Sequence, residues 1–202
     1  MQTNHKMHLK QVGKIALTFV LVYPFILFAW LEVQVFYNTF IVQSIMSLVD
    51  LYFPFTVTLV EHTEKHFDFL IVDTLTMQGQ ELSYKAKMEL DTSNITFNVP
   101  MTLSAVLALI IQLRRSVADF WILLQVVVIL MGLHFITIGF LPLYDLYQAM
   151  QVNDMMKEYL KDYATPLHDY TYIQNFLIAY GVRFEPFLMM VFTWFRLQAS
   201  KE

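Results

Sequence analysis

Arg183 and Glu185 stand two residues apart in the stretch YGVRFEPFL, and Pro186 follows at once. The stretch lies inside a long apolar run from Tyr172 to Phe195. A cation and a carboxyl in such a run can do three kinds of work. They can lock helices together, form a site for a partner or ligand, or mark a proton or ion path. On a regular helix, residues two apart point to different sides, so these two do not pair with each other. Pro186 weakens the regularity. It has no N–H for the carbonyl of Val182, and its ring crowds that turn. An opening over Gly181–Pro186 would bring Arg183 and Glu185 closer or leave a carbonyl free. At a helical rise of about 1.5 Å per residue, Arg183 lies roughly 17 Å from Tyr172 and roughly 20 Å from Arg196. That is close to mid-membrane, where a lone charge costs at least about 2.5–3.5 kcal/mol on insertion scales. It should therefore face a partner or water.

Two further ionisable groups interrupt apolar runs. His134 lies about 22 Å along its run from Asp119, at a similar depth. Glu32 sits nearer the outer surface, within reach of a side chain such as Arg183. Arg183, Glu185, His134 and Glu32 are thus the candidate intramembrane polar or partner-binding residues. Signs of enzyme chemistry are weak. The chain has no Gly-x-Ser-x-Gly, no His-Glu-x-x-His, no phosphate-binding loop and no dinucleotide fingerprint. His62 and His66 are four apart, the spacing of zinc ligands on one helix face, but they fall in an expected loop or strand. Glu61, His62 and His66 would be the groups available to an enzyme acting on a lipid-linked substrate. Asn94-Ile95-Thr96 matches a glycosylation acceptor, a motif too short to carry weight. No catalytic residue, metal ligand or cofactor is assigned.

The solvent for the apolar runs is lipid. Hydrophobic residues make up 57% of the 202 residues, more than a soluble chain of this length could hide. The mean hydropathy is +0.50. The net charge is −4 with no basic block, so nucleic-acid binding has no electrostatic support. There is no cysteine, which excludes disulfides, thiolate metal sites and a cysteine nucleophile. The first apolar run is too long for a signal-peptide core, and no small-residue cleavage site follows it. It reads as a retained anchor.

The chain reads as one membrane domain over residues 1–202, mainly α, with four transmembrane helices. The expected spans are Lys14–Phe36, Ile95–Leu113, Phe120–Leu143 and Tyr172–Phe195, the second of marginal length for the roughly 20 residues a crossing needs. Thr39–Phe53 carries Gln43, Ser47 and Asp50 on one face and suits a helix lying along the membrane surface. Basic residues Lys6, Lys10 and Lys14, then Arg114 and Arg115, then Arg196 and Lys201 mark one side. The positive-inside rule makes that side cytoplasmic, with both termini there. The large outer connection, about residues 55–94, changes period. In Glu81–Asp91, Leu82, Tyr84, Ala86, Met88 and Leu90 alternate with polar residues, as in a strand with one buried face. Phe67–Met77 alternates less cleanly, and Gln78-Gly79-Gln80 suits a hairpin between the two. Thr56–Glu61 and Ile95–Val99 could add edge strands. In the second outer connection Val152, Met155, Met156, Tyr159, Leu160 and Tyr163 form a helical stripe, so an amphipathic helix is expected over about 152–164.

This layout resembles a known family. A span, then VDLYFPFTVTLVE (Val49–Glu61), a β hairpin, ITFNVPMTLSAVLALIIQL (Ile95–Leu113), and two further spans flanking an amphipathic helix look like the exosortase H-associated membrane proteins of bacteria. The resemblance covers most of the chain and rests on layout and these two stretches. It implies a multi-pass protein of the bacterial inner membrane, encoded beside a sorting transpeptidase that handles proteins with a C-terminal signal. Exosortases themselves use a membrane-embedded cysteine, which this chain lacks. The resemblance therefore implies a non-enzymatic accessory subunit whose partners are the bilayer and a membrane protein such as an exosortase. The alternative is a small transporter or ion-path protein using Arg183, Glu185 and His134.

Overall fold

A computed structural model describes residues 2–52, 56–62, 66–77, 80–113, 117–152, 157, 168, 172–173 and 175–199. The elements are α1 (Gln2–Tyr52), β1 (Thr56–His62), β2 (His66–Met77), β3 (Gln80–Asp91), α2 (Ser93–Thr96), α3 (Val99–Leu113), a 3-10 turn (Val117–Phe120), α4 (Trp121–Val152), a π turn (Leu177–Gly181) and α5 (Val182–Ala199). Among the described residues, three helical stretches are long and apolar enough to cross a membrane: Lys10–Ser47, Val117–Gly139 and Leu177–Ala199. The protein is thus of the membrane-embedded, mainly helical kind.

The expected second span is corrected. Ile95–Leu113 is not one continuous helix, nor does Ile95–Val99 form an edge strand. The chain makes the short α2, turns at Phe97-Asn98, and begins α3 only at Val99. The sequence around Asn98 explains the break. Its carbonyl accepts the N–H of Thr102 at 2.8 Å, the first bond of α3. Pro100 then falls in the first turn, where a missing N–H is harmless. The 15 residues of α3 span about 22 Å, short of the roughly 30 Å hydrocarbon core.

The expected separation of a span from a surface helix at Thr39 is also corrected. α1 runs unbroken through it for 51 residues, with Pro24 inside. No glycine or proline lies between Phe25 and Phe53 to end it. The two halves of α1 nonetheless differ. Residues 10–33 present no buried side chain, whereas Gln34, Asn38, Ile41, Val42, Ile45 and Met46 form a buried stripe. Gln43 and Ser47 are exposed on the other side. α4 continues past Leu143 to Val152. The amphipathic helix expected at 152–164 lies almost wholly outside the described residues.

The chain divides into two compact units. The first comprises residues 1–33, 97–132 and 182–202. Its centre is α3, buried on most of its circumference, with Thr102, Ser104, Ala105, Val106, Ala108, Leu109 and Ile110 enclosed. Small residues there allow close helix approach. α5 lays Val182, Glu185, Met189, Thr193 and Leu197 against its neighbours, a stripe at helical spacing. Gln112 Nε2 donates to Thr18 Oγ1 at 2.7 Å and ties α3 to α1. The Thr18 hydroxyl in turn donates to the carbonyl of Lys14 at 2.9 Å.

The second unit comprises residues 34–96 and 133–181. Its sheet has the order β1-β2-β3, antiparallel throughout. β2 and β3 pair in unbroken register from His66↔Asp91 to Met77↔Gln80. The β1–β2 register shifts between Leu59 and Glu61. Phe67 is fully buried. The burial expected for Leu82, Tyr84, Met88 and Leu90 concerns side chains outside those described. After β3, the buried Thr92 offers its carbonyl to the N–H groups of Ile95 and Thr96, both at 3.1 Å, and so starts α2.

A buried carboxyl between two helices as the candidate functional site

Pro186 sets the local chemistry of α5. Its missing N–H deprives the carbonyl of Val182 of its helical donor. Asn98 Nδ2 takes the vacant role and donates to that carbonyl at 2.7 Å, in a buried position. One turn further along both helices, Thr102 Oγ1 donates to Glu185 Oε1 at 3.0 Å. The two bonds advance together along the chain, so α3 and α5 run parallel. The π turn at Leu177–Gly181 ends just before Val182, a widened turn beside the proline-weakened one.

Glu185 is 1% exposed, and Thr102 and Asn98 are equally enclosed. A buried polar group without a partner costs about 1–3 kcal/mol, and an isolated charge far more. The helix pair therefore holds its carboxyl and its freed carbonyl with donors of its own. The other buried hydroxyls of this unit bond back into their helices. Ser104 Oγ donates to the Pro100 carbonyl at 2.6 Å, and Thr193 Oγ1 to the Met189 carbonyl at 2.7 Å.

Arg183 faces the other way and is exposed. Among the described residues it forms no ion pair, neither with Glu185 nor with Glu32, which is exposed on α1. His134 belongs to the second unit and is 1% exposed. Tyr37 Oη lies 2.7 Å from His134 Nδ1, and the two rings meet edge to face. Thr137, one turn on, donates to the Leu133 carbonyl at 2.8 Å. The four sequence candidates thus separate: Glu185 with α3, His134 with Tyr37, and Arg183 and Glu32 outward.

His62 ends β1 and His66 begins β2, so they do not share a helix face. Among the described residues no three His, Cys, Asp or Glu side chains converge as a metal site would need. The acceptor-like Asn94-Ile95-Thr96 lies in α2, where Thr96 is buried and its hydroxyl donates to the Thr92 carbonyl at 3.2 Å. A groove of about 370 Å³ in the first unit is lined by Leu124, Gln125, Val128, Ile129 and Phe192. Among the described residues that line it, Gln125 is the only polar one.

Sequence reasoning passed over Asn98, Thr102 and Tyr37. A signal for the first existed: a proline inside an apolar helix leaves a carbonyl that needs a donor from elsewhere, and Asn98 is a side-chain amide at the mouth of the neighbouring apolar run. Comparison with known proteins finds no matching family model, no matching curated protein and no matching solved structure.

Proposed function

We propose that the chain is a non-enzymatic accessory subunit of a bacterial inner-membrane protein-sorting system, working by binding a membrane partner such as an exosortase. The observation that carries this reading is the closed state of the Glu185 site. A carboxyl on an ion path needs access to water or to a chain of exchangeable groups. Glu185 is instead enclosed and held by Thr102, and the adjacent free carbonyl is held by Asn98. Such an arrangement serves helix packing. The layout resemblance supplies the class of partner.

In this reading α3, shorter than the hydrocarbon core but enclosed by its neighbours, makes the fourth crossing, so the protein is multi-pass with both termini cytoplasmic and the three-stranded sheet on the extracytoplasmic side. The sheet and the apolar helix faces are the surfaces offered to the partner. The chain supplies no reacting group, and the partner enzyme performs the transpeptidation.

Co-expression with an exosortase in a bacterial inner membrane tests the proposal. Purification through a tag on this chain should recover the two proteins in constant ratio after detergent extraction. Failure to recover the enzyme, together with proton or cation flux in liposomes holding the purified chain alone, would overturn it in favour of the transporter alternative.

A further inference from the structure

Glu32 and Arg183 are opposite charges on apolar helices of the same unit, both exposed and, among the described residues, neither in an ion pair. Their levels along the bundle agree. In the topology proposed above, Lys14 and Arg114 mark the same cytoplasmic side; Thr18, four residues after Lys14, is hydrogen-bonded to Gln112, two residues before Arg114, so α1 and α3 run antiparallel from a common level. Glu32 lies about 21 Å along α1 from Thr18. Thr102 lies about 15 Å back along α3 from Gln112, and its bond partner Glu185 shares that level. Arg183 is about 3 Å beyond Glu185 in the same direction. The two charges therefore stand at the same height to within a few ångströms.

Each is framed by exposed aromatic rings. Phe25 and Phe28 precede Glu32 on its helix, and Phe184 and Phe187 flank Arg183. Copies of one chain inserted with the same topology share the same levels in a bilayer. A charge at a given height on one copy thus meets the complementary charge at equal height on another without any vertical shift. Pairing removes both charges from lipid, and the rings around Arg183 suit a guanidinium by cation–π attraction. We propose that Glu32 of one copy pairs with Arg183 of a second copy, making these two helix faces the self-association surface of the protein. This inference does not rest on the sorting role, and its test involves no other protein.

The chain has no native cysteine, so cross-linking between introduced thiols is unambiguous. Differently tagged Glu32→Cys and Arg183→Cys chains are co-expressed in one membrane and treated with a short bismaleimide. The expected result is a dimer carrying both tags. Val12→Cys, exposed near the other end of α1, with Arg183→Cys serves as the control and should give little product. In parallel, Glu32→Arg and Arg183→Glu chains should each lose about tenfold in tag-to-tag co-purification, and the doubly reversed chain should regain it. A 32–183 yield no greater than the 12–183 control would overturn the pairing. So would charge reversals that leave association unchanged, or a double reversal as weak as the singles.

Discussion

Asn98 Nδ2 donates at 2.7 Å to the carbonyl of Val182, the carbonyl that Pro186 leaves without its helical donor. The bond and the proline are therefore coupled. Asn98→Ala should cost about 1–3 kcal/mol, because it strands a buried carbonyl. In a Pro186→Ala background, residue 186 regains an N–H and the helix can close its own bond, so the same change should cost far less. Thermal unfolding of the four proteins in one detergent reads the coupling. Equal costs in both backgrounds would remove the proline from the explanation.

Tyr37 and His134 make the corresponding prediction for the second unit. Their hydrogen bond is part-buried, and His134, with Asn38 and Ile41 on α1 and Ile138 on α4, is buried. Tyr37→Phe should lower stability by about 0.5–1.5 kcal/mol, the usual net worth of one such bond. Phe36→Ala, at a neighbouring exposed position, should be close to neutral in detergent. The contrast between the two substitutions, measured by loss of helical circular dichroism on heating, checks the assignment.

Much of the architecture is legible in the residue pattern, for reasons that differ by element. Long apolar runs such as those of α1 and α4 declare themselves because lipid leaves few alternatives to helix. The period of two in Glu81–Asp91 coincides with β3. The boundaries were less legible. Helix continuity through Thr39 depends on the absence of a breaker, which a change of composition obscured. The break at Phe97-Asn98 depends on Pro100 fitting a first turn, and it hides inside an apolar stretch of near-span length. Glu185 was visible as a candidate, because a carboxyl in an apolar run is costly. Its partner was not, because Thr102 lies 83 residues away and no local pattern links the two helices.

Membrane topology gives a further check on the proposed function. A reporter active only outside the cytoplasm, fused after Glu202, should stay silent. Lys85→Cys, on β3, should be labelled by a membrane-impermeant maleimide from the extracytoplasmic side of intact cells. Strong reporter activity, or labelling of Lys85→Cys only after lysis, would contradict cytoplasmic termini and an extracytoplasmic sheet.

The central claim is that Glu185 works in helix packing, and the Thr102–Glu185 pair tests it most directly. Thr102→Val, Glu185→Leu and the double substitution form a cycle read by unfolding in detergent. Removing one partner of a buried hydrogen bond should cost about 1–3 kcal/mol, while replacing both by apolar groups should recover much of that loss. The account predicts a coupling of at least about 1 kcal/mol between the two positions. Costs that add to within about 0.5 kcal/mol would show that the two side chains act independently, and would contradict it.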